Sequence, residues 1–125
     1  MMSEKKKILY VQTSGPANPE RQYAPLILAQ TAVAMDIEPT IFYLGLGLKM
    51  LLKGEAEKIK IGAFPTVKEV MEQAISQGVK IIACQQSMQL FGGEISPADL
   101  TEEAVVAGAA TLNDLALDAD GTLTF

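Results

Sequence analysis

Histidine and tryptophan are absent from this chain, and cysteine occurs once, at position 84. Each absence removes a class of chemistry. Without histidine there is no Ser-His-Asp or Cys-His catalysis, no imidazole ligand for zinc and no imidazole pH switch. A single cysteine excludes an intramolecular disulfide, a CxxC redox motif and a cysteine-rich metal site. Long hydrophobic runs are missing as well. The apolar stretch after Lys5-Lys6-Lys7 covers only Ile8 to Val11, too short for the core of a signal peptide. No segment reaches the roughly eighteen apolar residues that span a bilayer. A lone cysteine with no disulfide framework fits a reducing compartment, so a cytoplasmic location is expected.

What is present suits one domain covering residues 1–125. With 49% hydrophobic residues among 125, such a chain can bury roughly two-thirds of its unfolded surface. A core needs neither disulfides nor metal. Ten basic against fifteen acidic residues give a net charge of −5, which argues against binding a nucleic-acid backbone. The charge is uneven. Residues 1–80 hold every basic residue and net +2, whereas residues 81–125 hold no Lys or Arg and net −7. Two readings stand: a solubilising surface, or a field that steers a basic partner.

Strand-like and helix-like segments alternate, the signature of an α/β domain with a largely parallel sheet. Strands are expected at Ile8–Thr13, Thr40–Leu44, Val79–Ala83, near Ala104–Ala107 and at Thr122–Phe125. Between them lie helical stretches: about Pro19–Met35, Leu46–Lys58, a capped segment from Thr66 to Gly78, Gln85–Phe91, a start at Ser96, and Ala109–Ala119. Thr66 and Glu69 form a capping box after Pro65. Gly92-Gly93 closes the Gln85–Phe91 segment. From Ala24 to Met35 only Gln30 and Thr31 are polar. A helix without a polar face is buried on both sides, which in so small a domain points to a subunit interface.

Cys84 is the sharpest chemical candidate. It ends a continuous apolar strand, and reactive groups in open α/β sheets gather at the carboxyl ends of strands. If Gln85–Phe91 is helical, the thiol sits where free N–H groups and the macrodipole favour thiolate, the reactive form. Gln85, Gln86 and Ser87 add groups able to hydrogen-bond a sulfur anion. The competing reading is a buried cysteine that only fills space. Gly45-Leu46-Gly47 follows a strand like a dinucleotide loop, but Met50 replaces the third glycine, and loop shaping is the better reading. Thr13-Ser14-Gly15-Pro16, with Arg21 behind it, offers donors for a small anion, although ordinary turn chemistry also explains it. Glu102-Glu103 and Asp118/Asp120 lack the context of a metal site. The six methionines read as core filling. No metal or cofactor is expected.

Several stretches, in this order and spacing, resemble the DsrE/DsrF-like family. They are the opening Ile8-Leu9-Tyr10-Val11, Ile41-Phe42-Tyr43 running into Gly45, and Leu51-Leu52-Lys53-Gly54. The strongest is Val79 to Ala83 ending in Cys84, followed by Gln85-Gln86-Ser87-Met88 and Gly92. Val106 to Ala110 and Leu115 to Phe125 complete the set. The resemblance covers nearly the whole chain. It implies a three-layer α/β/α sandwich with a five-stranded, mainly parallel sheet, assembled as a homotrimer or homohexamer. It also implies a sulfurtransferase or sulfur-relay subunit. Cys84 matches the cysteine that takes sulfane sulfur from a donor protein as a persulfide and passes it to an acceptor. Such exchange needs an accessible thiol but no acid–base triad, so the missing histidine is tolerable. The alternatives are an oligomeric scaffold with a packed Cys84, or a small-ligand binder at the loops after Thr13 and Leu44.

Overall fold

The computed structural model describes residues 5–92 and 95–125. Five strands form one sheet: β1 (Lys7–Gln12), β2 (Glu38–Tyr43), β3 (Lys80–Cys84), β4 (Val105–Ala107) and β5 (Gly121–Thr124). Their order is β4-β3-β2-β1-β5, and every pairing is parallel. The last strand, whose direction the sequence leaves open, runs parallel to β1, with Ile8 beside Gly121. The three α-helices are α1 (Ala24–Ala34), α2 (Val67–Ser76) and α3 (Ala109–Asp118).

Alternation along the strands sorts the core into two faces, as period-2 side chains must. Tyr10, Ile41, Tyr43, Ile81 and Ala83 face α1 and α2, together with the buried Leu26, Ala29, Val70 and Ala74. Leu9, Val11, Phe42, Ile82 and Cys84 face the other way, where Leu112, Leu115 and Ala119 pack on them. The result is the three-layer α/β/α sandwich, with α3 the one α-helix on the second face among the described residues. No residue of α3 is itself buried, so that layer is thin. Phe42 lies between the layers with no exposed surface.

Helix α2 begins as its sequence requires. Thr66 Oγ1 accepts from Glu69 N–H (3.2 Å) while the Glu69 carboxylate accepts from Thr66 N–H (3.2 Å). Thr66→Ala removes one acceptor from the orphan N–H groups and should lower stability by about 1 kcal/mol. Urea denaturation will show this as a lower midpoint with an unchanged slope.

Four helical expectations need correction. The stretch from Pro19 splits into a 3-10 turn at Pro19–Gln22 and then α1. Pro25 explains the break, because in a helix interior its ring would clash with the carbonyl of Arg21. Leu46–Lys58 is not one helix but 3-10 turns at Gly45–Leu51 and Ala56–Lys58. Gly54, at φ +89°, lies between the two turns in a left-handed conformation that a continuous right-handed helix cannot include. Gln85–Phe91 is likewise a 3-10 turn, Gln86–Phe91, ended by Gly92 at φ +78°; Gly93 lies outside the described residues. The start at Ser96 is a single 3-10 turn, Pro97–Asp99, whose Asp99 carboxylate accepts from Ser96 N–H (2.8 Å).

The outer side of α1 does not follow its buried side. Pro25, Leu26, Ala29 and Ala32 are buried, whereas Ile27, Leu28 and Met35 stand exposed. Among the described residues, no helix is long and apolar enough to cross a membrane.

Candidate functional site

Cys84 closes β3 at the carboxyl end of the sheet. Its partner in register is Ala107 of β4. Because Ile81 and Ala83 point toward α1 and α2, the thiol points toward α3. There it is packed among apolar neighbours that include Leu44, Ala107 and Leu112, and it is only 1% exposed.

The chain immediately after Cys84 turns back over it. Gln85 N–H donates to Ala107 O (2.8 Å), which continues the β3–β4 ladder past the thiol. The Gln86 side chain then reaches across. Its Oε1 accepts from Cys84 Sγ (3.8 Å) and from Ala109 N–H (3.1 Å). Gly108, the residue before α3, has no side chain to cap the helix, so Gln86 supplies that acceptor from another element. Gln86 is itself exposed. One solvent-facing carboxamide therefore joins the only thiol to the first turn of α3.

This differs from the geometry expected on sequence grounds. Cys84 does not head an α-helix of its own, since only a six-residue 3-10 turn follows it. The α-helix it meets is α3, on the opposite face from the preceding helices and reached through Gln86. That contact depends on α3 crossing over the second face, which local sequence cannot reveal.

The other candidate residues divide between neighbouring loops. Ser87 is buried, and its Oγ accepts from Gly45 N–H (2.7 Å), tying the loop after β3 to the loop after β2. Thr13 Oγ1 donates to Phe125 O (2.7 Å) at the end of β5. Ser14 N–H donates to Gln12 Oε1 (2.9 Å), and Ser14 Oγ accepts from Arg21 Nη1 (3.3 Å). Gln85 and Gln86 border Gly108. Thus Gln85 and Gln86 gather around Cys84, Gly45 and Ser87 form the adjoining tie, and Thr13 and Ser14 serve the end of β1, one strand further on.

Sequence reasoning passed over Gln12 and Gln22. Gln12 is wholly buried and donates from Nε2 to Arg21 O (2.9 Å) while holding Ser14. Gln22 Nε2 donates to the carbonyls of Ser14 and Gly15, both at 2.9 Å. A glutamine at the end of an apolar strand is the available signal, because a buried amide must find partners. Tyr43, buried at the end of β2, has its phenol pushed well above the ordinary 10.0 by desolvation. It stays neutral at physiological pH and is no base for the thiol.

The profile of the DsrE/DsrF-like family matches residues 6–125. The chain belongs to the DsrE/DsrF-like family. Among curated relatives, the protein MJ0760 of Methanocaldococcus jannaschii is 35% identical over 105 residues, covering 84% of this chain. The chain spans only 38% of that relative's length. A protein named sulfur carrier protein DsrE2, from Allochromatium vinosum, is 26% identical, covering 94% of this chain and 96% of its own. Two solved structures share the fold. The ychN protein of E. coli has a TM-score of 0.77 at 22% identity, covering 96% of this chain and 99% of its own. BT1422 of Bacteroides thetaiotaomicron has a TM-score of 0.69 at 14% identity, covering 96% and 95%. Both likenesses concern the fold of this DsrE/DsrF-like chain alone.

Proposed function

We propose that this chain is a single-domain, cytoplasmic sulfur carrier that holds sulfane sulfur on Cys84. The Cys84 thiolate attacks the outer sulfur of a donor persulfide. A new S–S bond forms at Cys84, the donor's S–S bond breaks, and the donor leaves as a thiolate. The outer sulfur keeps its proton or releases it to water, and no external oxidant or reductant is consumed. In the second step an acceptor thiolate attacks that outer sulfur and regenerates the Cys84 thiolate. Exchange of this kind needs an attacking thiolate and a leaving thiolate, with access for both.

The observation that carries this reading is the position of the chain's only thiol. It lies at the end of a central strand, at the rim of the buried cluster on the α3 face, with its sulfur in contact with the carboxamide of the exposed Gln86. Membership of the family and the likeness to a protein named as a sulfur carrier support it. Access requires the Gln86 carboxamide to leave Sγ, which frees Ala109 N–H on the α3 end. The displaced carboxamide can turn its Nε2 toward a sulfur anion. Gln85, on the same rim, offers a second amide. The partners are a donor protein and an acceptor protein, and the carrier assembles as a homotrimer or homohexamer.

Thiol labelling separates this reading from a scaffold with a packed cysteine. A carrier must open locally, at lower free energy than global unfolding. Native Cys84 should therefore react with an alkylating reagent faster than global unfolding permits. Gln86→Ala deletes one weak closing bond and should speed that reaction by a factor of about five, the equivalent of roughly 1 kcal/mol. A scaffold cysteine stays silent until denaturant is added, in both proteins, and that result would remove the carrier reading.

A further inference from the structure

Three loops at the carboxyl end of the sheet meet around one cavity of about 230 Å³. Gly15 to Asn18 follow β1, Leu46 and Lys49 follow β2, and Phe91 follows β3. Open α/β sheets bind small molecules at this end. The loops are fixed to one another. Leu44 N–H donates to Gln12 O (2.9 Å), tying the second loop to the first. A Cβ at Gly15 would lie 2.8 Å from Leu46 O, so glycine is what lets the first loop rest on the second. Ser87 Oγ joins the third loop to the second at Gly45 N–H. The cavity is therefore formed before any ligand arrives.

Its lining is mostly apolar, with Pro16, Ala17, Leu46 and Phe91 contributing. Lys49 is the one charged residue on the wall, and no carboxylate lines it among the described residues. Lys5, Lys7, Lys58, Lys68 and Lys80 each pair with a carboxylate. Lys49 has no such partner among the described residues, and the Asn18 carboxamide has no hydrogen bond there. The carbonyls that would repel an anion are already occupied. Gly15 O accepts from Asn18 N–H (3.0 Å) and from Gln22 Nε2 (2.9 Å), and Asn18 O accepts from the same Nε2 (3.3 Å). Arg21 donates to Ser14 Oγ and does not line the cavity.

We infer that this cavity binds a small organic monocarboxylate through Lys49 and Asn18, with its apolar body against Pro16, Leu46 and Phe91. One unpaired ammonium matches one negative charge, and the Asn18 amide can donate to the second carboxylate oxygen. Inorganic phosphate fits less well, since it needs several converging donors and the wall offers two side chains that can donate. The volume lies below the roughly 300–1,000 Å³ of sites for drug-sized ligands, which suits a body of one ring or a short branched chain. The site is independent of sulfur exchange, because Cys84 is not on its wall.

Phenylacetate is the probe, titrated into the full isotope-labelled chain and followed by NMR. Backbone amide signals of Ala17, Asn18, Leu46, Lys49 and Phe91 should move and saturate in the millimolar range. Lys49→Gln keeps most of the side chain and removes its charge. It should weaken phenylacetate binding about fivefold, as expected for one exposed ion pair. Phenylacetamide, which has the same shape without the charge, should bind wild type about fivefold more weakly than phenylacetate does. Its affinity should be the same for Lys49→Gln. Cys84→Ser should bind phenylacetate as wild type does, so a failure of the sulfur reading leaves this result untouched. No saturating shifts at these amides, equal affinity of wild type and Lys49→Gln for phenylacetate, or tighter binding of inorganic phosphate would overturn the assignment.

Discussion

Gly47→Ala should lower stability by about 3 kcal/mol, a fall in Tm on the order of 10 °C. The reason is a collision with backbone. A Cβ built at Gly47 would lie 2.1 Å from the Gln12 carbonyl oxygen and 2.9 Å from its carbon. Neither atom belongs to a flexible side chain that can swing away. Gln12 is also the buried anchor that holds Ser14 and the Arg21 carbonyl, so separating the two loops disturbs the end of β1 as well. The adjacent loop residue Gly45 gives the contrast. It has open space around its Cβ position but a φ of +61°, so Gly45→Ala meets only the left-handed penalty of about 1–2 kcal/mol. Chemical denaturation of both variants should therefore rank Gly47→Ala as the more damaging. Equal stability of Gly47→Ala and wild type would mean that the loops after β1 and β2 are not in contact as described.

The same residues show why parts of the fold are legible in sequence and others are not. The capping box at Thr66 and Glu69 and the apolar strand before Cys84 are local patterns, and both occur where expected. Pro25 is a local signal too, because a helix running from Pro19 cannot pass through it without losing a bond and clashing with the carbonyl of Arg21. The segment Gly45–Leu51 is different. Its 3-10 path follows from the close approach of Gly47 to Gln12, a residue thirty-five positions earlier, and nothing within the segment announces that contact. The candidate site divides in the same way. That Cys84 ends a strand is readable from the apolar run before it. That its sulfur meets Gln86 and, through it, α3 requires knowing that α3 covers the second face. The acidic character of residues 81–125 also gains meaning only in three dimensions, where Asp99 ties its own turn and Asp118 and Asp120 both reach Lys7 at the start of β1.

Cys84→Ser carries the other large effect, a complete loss of sulfur acceptance with the fold retained. Serine occupies nearly the same volume, and its hydroxyl can donate to the Gln86 carboxamide in place of the thiol. The stability change should therefore stay within about 1 kcal/mol. No other side chain in the chain can form a persulfide, because Cys84 is the only cysteine. The direct measurement is intact-mass spectrometry of wild type and Cys84→Ser after incubation with a cysteine desulfurase and cysteine. Wild type is predicted to gain one sulfur atom, lost again on treatment with a reducing thiol, while Cys84→Ser gains none. A wild-type protein that takes up no sulfur, or a Cys84→Ser protein that takes up as much, would contradict the account.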